Sequence, residues 1–530
     1  MSRSPLRNAC GLLGAVIVST MAYAGTASAQ SVLVDYESSA KAAQIREGAA
    51  WRLAFRPTLQ VLQQTVSQLR NSPGVSAAIQ AETDGLLKTA AAQAEPEARR
   101  TYWRAVSLLT GVAWTPEQEL LGALALRFPS TISTGAGDRV SFEATYPTAT
   151  KAPASFTVDL YRTEPTTSAT PKRGGLVRAV AKGKLDGRLP RPVEVNLSGV
   201  ADGSYLLIAK VSAGSAASTE LVQPIYIVRD LDRRHAALTR DLSGVQGHAE
   251  ARWIAEYPFV LAKAIKAGAR EVVSYDFPAA LDRSAKIVAD LKAGRDPVRQ
   301  VRGLQNRAYA FPETGELVPY QTYVPSNWTP DRTWPLMVAL HGANLDETNM
   351  LGRDDARMQK LAEQYGFVVV TPLGYRLNSA YGSQRGMGSI VGDQTERRRR
   401  SEVDVLQVTE IVSKEYNIDP KRRYLTGNSM GGGGTWWIGG RHAELWAAIA
   451  PAAYGGVLPE DVAAFKGMPI LAVVGDRDEL GMLDRVRQSV ATLKAGGVKP
   501  GYVEVPGGTH AGAFERTLPQ IFEFFDKHSK

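Results

Sequence analysis

Cysteine is nearly absent from this chain: there is one in 530 residues, Cys10, close to the N-terminus. Everything downstream therefore lacks disulfides, thiolate metal ligands and a thiol nucleophile. Long apolar runs are missing too. The stretch Gly11–Ala22 falls short of the roughly 20 residues that span a bilayer, and no later stretch approaches that length, so a soluble mature chain is expected. Histidine is scarce, with six residues available as proton carriers: His235, His248, His341, His442, His510 and His528. Charge of one sign is not concentrated either. Lys and Arg number 62 against 53 Asp and Glu, a net +9, which over this length is a weak argument for nucleic acid. The densest basic cluster, Arg397–Arg400, follows Glu396 and precedes Glu402 and Asp404, and reads as a solvated helix entrance.

What is present begins with a leader. Arg3 and Arg7 precede the apolar run, and Ala27-Ser28-Ala29 is a small-residue cleavage pattern. Residues 1–29 therefore read as an export signal cut before Gln30, placing the protein in the periplasm or outside the cell. Removing the two arginines leaves 9 − 2 = +7.

The periodicity then changes three times. Residues 30–130 are Ala-, Leu- and Gln-rich with helical spacing, as in Leu59, Leu62, Val66 and Leu69, stopped by Asn71-Ser72-Pro73-Gly74. Residues 131–229 alternate with period two, through Val140, Phe142, Ala144 and Tyr146 and again Phe156, Val158 and Leu160. Turn signals such as Asp202-Gly203 divide these runs, which predicts a small immunoglobulin-like β-sandwich. Residues 230–306 return to helical spacing. From 307 to 530, six short apolar strands alternate with amphipathic helices: Pro335–Leu340, Phe367–Thr371, Tyr424–Thr426, Ala447–Ala450, Ile470–Val474 and Tyr502–Val505. One helix is expected over Ser401–Tyr416, opened by a capping box of Ser401 and Asp404. The pattern is that of a mostly parallel sheet covered on both faces, an α/β fold.

Gly427-Asn428-Ser429-Met430-Gly431 follows one of those strands and opens a helix. A serine on such a turn sits on a strained backbone, and the flanking glycines let neighbouring elements approach. The helix N-terminus offers backbone donors to a developing negative charge. No Gly-Lys-Ser/Thr follows, so a phosphate loop is excluded. Serine needs a base. His510, in the loop after the strand ending at Val505, is the candidate; His442 lies about three turns down the helix behind Ser429, and His528 sits near the end of the chain. The orienting acid is sought after Val474, where Asp476, Asp478 and Glu479 stand together; Asp478 is preferred to Asp476. The oxyanion donors expected are the amides of Met430 and of Ala343 (or Asn344), with His341 structural. Tyr375–Ile390 and Tyr454-Gly455-Gly456 are candidate pocket walls, with Arg385 more suited to solvent than to an acidic substrate. Trp436 and Trp437 read as core.

The motifs YNIDPKRRYLTGNSMGGGGTW, PLMVALHG, GDRD and GGTH resemble those of the extracellular esterase family related to polyhydroxybutyrate depolymerases and feruloyl esterases, which merges into the prolyl-oligopeptidase-like hydrolases. The resemblance covers about Arg307 to Lys530. It implies an α/β-hydrolase domain with Ser429, Asp478 and His510 as triad, no metal or organic cofactor, and an ester-containing small molecule or polymer as substrate, with no nucleic acid or membrane partner. A serine peptidase, a polyester depolymerase and a non-catalytic binding protein stand as rivals. The chain departs from several secreted relatives in lacking disulfides.

Overall fold

The computed structural model describes residues 26–135, 137–148, 153–164, 170–214, 217–270, 272, 275–384 and 395–530. The leader and Cys10 fall almost wholly outside the described residues, as does Arg385. The chain divides into two compact units, residues 1–115 and 116–530.

In the first unit the described residues are helical. Thr26–Ala54, Leu59–Arg70, Ala77–Ala91 and Glu95–Thr110 are joined by short turns. Thr58 and Ser76 cap the second and third helices through their side-chain oxygens, and Gly111, at φ 70°, ends the fourth. Leu62, Val66 and Leu69 are buried as their spacing requires, among Tyr102, Val106 and Leu109.

The second unit opens with two small sheets. One has the order β1-β3-β6, with β1 Leu124–Arg127, β3 Arg139–Ala144 and β6 Arg191–Glu194. The other has the order β2-β8-β7-β4-β5, with β2 Ile132–Ser133, β4 Ala154–Glu164, β5 Lys172–Leu185, β7 Gly203–Ala213 and β8 Ala217–Ile227. Both contribute to one core, where Phe142 meets Phe156 at 4.8 Å between ring centroids. Residues 124–127, inside the stretch expected to be helical, form a strand instead, because Leu124, Ala125 and Leu126 are buried as they pair with Ala144, Glu143 and Phe142.

Three helices follow, Leu231–Leu242, Ala249–Lys266 and Phe277–Lys292. Their apolar faces share a core with Ala308 and Leu317 of the next two strands. Those strands begin an eight-stranded sheet ordered β9-β10-β12-β11-β13-β14-β15-β16. Its members are β9 Gly303–Ala310, β10 Leu317–Val324, β11 Trp334–Leu340, β12 Val368–Pro372, β13 Ile418–Asn428, β14 Ala448–Ala452, β15 Leu471–Gly475 and β16 Gly501–Val505. β10 runs antiparallel to both neighbours and the others pair in parallel. Helices Thr395–Glu415, Met430–Arg441 and Met482–Ala495 pack on one core, while Asn349–Tyr365 and Gly512–Asp526 pack on another. That leaves the central strands buried on both faces, as continuous apolar runs require.

Two expectations change here. The sheet has eight strands rather than six, β9 and β10 being the additions. The helix expected from Ser401 already runs from Thr395, so Ser401 is an interior, fully buried residue and no cap. Asp404 does other work. Its buried carboxylate accepts the Tyr309 hydroxyl at 2.6 Å and the backbone N–H groups of Gly374 and Tyr375 at 2.8 and 2.9 Å. Arg398 of the basic cluster is buried and donates to the Ser383 carbonyl, while Arg399 and Arg400 reach Glu396 at the surface.

Candidate active site

The turn after β13 is made possible by contact distances that only glycine tolerates. A Cβ on Gly431 would lie 2.0 Å from the Leu340 carbonyl oxygen of β11, and one on Gly427 would lie 2.5 Å from the Gly431 carbonyl. Between them Ser429 takes φ 58°, ψ −120°, a conformation costly for a side-chain-bearing residue. It is held by its N–H on the Ala452 carbonyl and by its own carbonyl accepting from Gly433, both at 3.0 Å. The side chain thus stands at the N-terminus of Met430–Arg441, half-buried.

Two loops at the same end of the sheet carry the other groups. After β15, Asp478 turns inward: one carboxylate oxygen accepts the Leu480 N–H at 2.9 Å and the other lies 2.8 Å from His510 Nδ1. The Asp478 side chain has no solvent exposure and that of His510 has 10%. Asp476 is exposed, while Glu479 accepts the backbone N–H of His510 at 2.9 Å. The two loops approach so closely that a Cβ on Gly475 would fall 2.0 Å from the Gly508 carbonyl oxygen. His510 Nε2 is buried with no hydrogen-bond partner among the described residues. The structure therefore brings His510 to Asp478 and leaves the outer ring nitrogen unengaged.

The loop after β11 passes beside the serine: a Cβ on Gly342 would sit 3.6 Å from Ser429 Cβ. His341 is fully buried, its ring nitrogens 2.8 Å from the Gly342 and Leu373 carbonyl oxygens. Burial lowers its pKa, against the pull of the two carbonyl oxygens. The N–H of Asn344 is already committed to Asn378 Oδ1 at 2.8 Å, so of the two amides considered, Ala343 is the one left for an oxyanion. His442 instead lies 2.8 Å from Glu402. Trp436 is buried and donates to the Tyr454 carbonyl at 2.9 Å; half-buried Trp437 donates to Glu402 at 2.8 Å. Both tryptophans also line a hollow of about 280 Å³ with Gly433, Tyr454, Gly455 and Gly456. Of the candidate loop Tyr375–Ile390, residues 385–390 lie outside the described residues.

Glu479, one of the three carboxylates considered for the imidazole, binds the His510 backbone instead of its ring; sequence reasoning missed the Asn344–Asn378 pair and the role of Asp404. It also missed a buried carboxyl, Glu347, facing two hollows of about 210 and 370 Å³ between helices Ala249–Lys266 and Phe277–Lys292 and the sheet. Burial and neighbouring Asp346 push Glu347 up to about 8. Among the described residues no group of three or more His, Cys, Asp or Glu is arranged to hold a metal, and no helix is long and apolar enough to cross a membrane.

Residues 312–525 match the family model Esterase, described as putative esterase. Over this stretch the chain is similar to that esterase family. The bifunctional acetylxylan esterase/xylanase XynS20E of Neocallimastix patriciarum is 34% identical over 158 residues, 30% of this chain and 21% of the fungal protein, so this chain spans about a fifth of that relative. Among solved structures, a thermostable esterase aligns over 77% of this chain and all of its own at 17% identity and a TM-score of 0.37. A ferulic acid esterase of Anaeromyces mucronatus aligns over 44% of this chain and 93% of its own at 16% identity and a TM-score of 0.34.

Proposed function

We propose that the protein is a serine hydrolase of carboxylic esters, working through an acyl-enzyme. One observation carries the reading. A serine on a strained strand-to-helix turn shares one end of the sheet with a histidine whose inner nitrogen contacts a buried carboxylate and whose outer nitrogen is unengaged. Ser429 Oγ attacks the acyl carbon while His510 Nε2 takes its proton. Charge collects on the former carbonyl oxygen, facing the amides of Met430 and Ala343. Collapse expels the alcohol with the proton returned by His510. Water, activated by the same nitrogen, then adds to the acyl-enzyme, and the acid leaves as the serine is reprotonated. Asp478 holds the tautomer throughout.

An ester rather than an amide is favoured by the family match and by the acetylxylan esterase among the relatives. An acylated polysaccharide is the substrate class we would try first. We read the leader as an export signal and the paired small sheets as an immunoglobulin-like module that supports the catalytic domain and opens at β1, ahead of the expected residue 131.

Hydrolysis of p-nitrophenyl acetate and acetate release from acetylated xylan test the proposal, beside Ser429→Ala and His510→Ala. Turnover by the wild type that both variants lose supports it. An inert wild type, or a Ser429→Ala variant with full activity, removes it.

A further inference from the structure

The loop that carries Ala343 is not held by its own element. Its left-handed residue, Asn344 at φ 61°, is gripped from another loop by a reciprocal pair: the Asn344 N–H donates to Asn378 Oδ1, and Asn378 Nδ2 donates to Asn344 Oδ1, both at 2.8 Å. The strap bearing Asn378, residues 373–383, is itself strongly determined. Buried Asp404 accepts the N–H groups of Gly374 and Tyr375. The Leu373 carbonyl contacts the His341 ring, and the Tyr381 hydroxyl approaches the His341 carbonyl at 3.4 Å. Tyr375, Ala380 and Tyr381 all take positive φ, conformations that persist only where the surroundings impose them.

Asn378 is thus a fixed point, and the peptide it grips is the one joining Ala343 to Asn344. We propose that Asn378 is a positioning residue for the oxyanion site: by taking up the Asn344 N–H it sets the plane of the neighbouring peptide and aims the Ala343 N–H at the developing oxyanion. The proposal rests on the ester-hydrolase reading above and deepens it. An oxyanion donor acts through placement within a few tenths of an ångström of the charge, so a grip from an independently anchored strap supplies what a lone exposed loop lacks. The asparagine suits the task because one side chain offers both an acceptor and a donor.

The test separates transition-state from ground-state binding. Asn378→Ala in the full chain is expected to lower kcat for p-nitrophenyl acetate by about 10- to 100-fold, less than the roughly 100- to 1,000-fold for outright loss of one oxyanion donor because the donor is misplaced and not removed, with KM moved less than about twofold. A boronic acid that forms a serine adduct should lose affinity by a similar factor. Asn378→Asp keeps the acceptor for the Asn344 N–H and should recover most of kcat. Should the alanine variant not fold, Asn378→Asp and Asn378→Ser divide the question the same way: the first near wild type, the second impaired. Wild-type kcat in a folded Asn378→Ala, a change in KM alone, or an aspartate variant as impaired as the alanine overturns the proposal. A wild type that hydrolyses no ester and takes up no organophosphate removes the underlying reading, and this proposal with it. Organophosphate labelling of Ser429 in Asn378→Ala beside a lost kcat marks the oxyanion effect as distinct from a lost nucleophile.

Discussion

His510 is held from two sides by adjacent residues of one loop: Asp478 meets its ring at 2.8 Å, and Glu479 accepts its backbone N–H at 2.9 Å. One carboxylate orients the imidazole and the next fixes the chain that carries it. Replacing Asp478 by asparagine should lower kcat by about 10⁴-fold, the scale expected when the orienting carboxylate of a triad becomes an amide. Asp476→Asn, at an exposed position, should stay within about twofold of wild type. Steady-state kinetics on one ester decide between them; a larger loss in Asp476→Asn would reverse the assignment.

Gly431→Ala should cost both stability and activity. The added methyl would press on the Leu340 carbonyl, forcing β11 and the nucleophile helix apart. Overpacking of this kind costs about 1–3 kcal/mol. Chemical denaturation should reveal that loss, and kcat should fall further than stability alone explains because Ser429 moves with the turn.

Glu347 predicts a pH dependence of stability. Its folded pKa, about 8, lies above the usual value near 4.3, so between those values the folded state holds a proton that the unfolded state has released. Stability contributed by the protonated acid is complete below the unfolded value and is lost as pH rises towards 8. Glu347→Gln, which cannot ionise, should match the wild type near pH 4 and gain on it steadily from pH 5 to 8. Thermal melts across that range check the slope, and a parallel pair of curves would refute it.

Arg307 offers a fourth test. Its fully buried guanidinium donates to Glu250 at 2.6 Å, to Glu415 at 2.9 Å and to the Tyr416 hydroxyl at 2.6 Å. Arg307→Ala leaves two carboxylates without their cation, which should cost roughly 3–5 kcal/mol. Removing both carboxylates as well, in Arg307→Met/Glu250→Gln/Glu415→Gln, should return part of that loss.

The site was legible where chemistry dictates local spacing. The glycines around Ser429 are imposed by approach distances, and scarcity of histidine left few bases to weigh. β11, β12, β14 and β15 announced themselves as continuous apolar runs. β10 did not, because Leu317–Val324 carries Pro319, Gln321 and Thr322, and the buried Gln321 amide nitrogen finds its acceptor, Asn306, only on β9. β5 is a mostly exposed edge strand whose charged and glycine-rich sequence reads as a loop. Asp404 misled for another reason: its partners lie 29, 30 and 95 residues away, and a nearby serine offered a local explanation. The grip of Asn378 on Asn344 spans 34 residues, beyond any pattern of periodicity.

The helices from 231 to 292 share a core with Ala308 and Leu317, and Arg307 binds Glu250 of one of them across to the sheet. The stretch that resembles relatives begins at residue 312, after β9. Resemblance and autonomy therefore part company here. A fragment cut at that boundary would lose the outermost strand, bare the β10 edge to pairing with other chains and leave Glu415 without its arginine. Expression boundaries are therefore best drawn from the shared core, ahead of these helices, rather than from kinship.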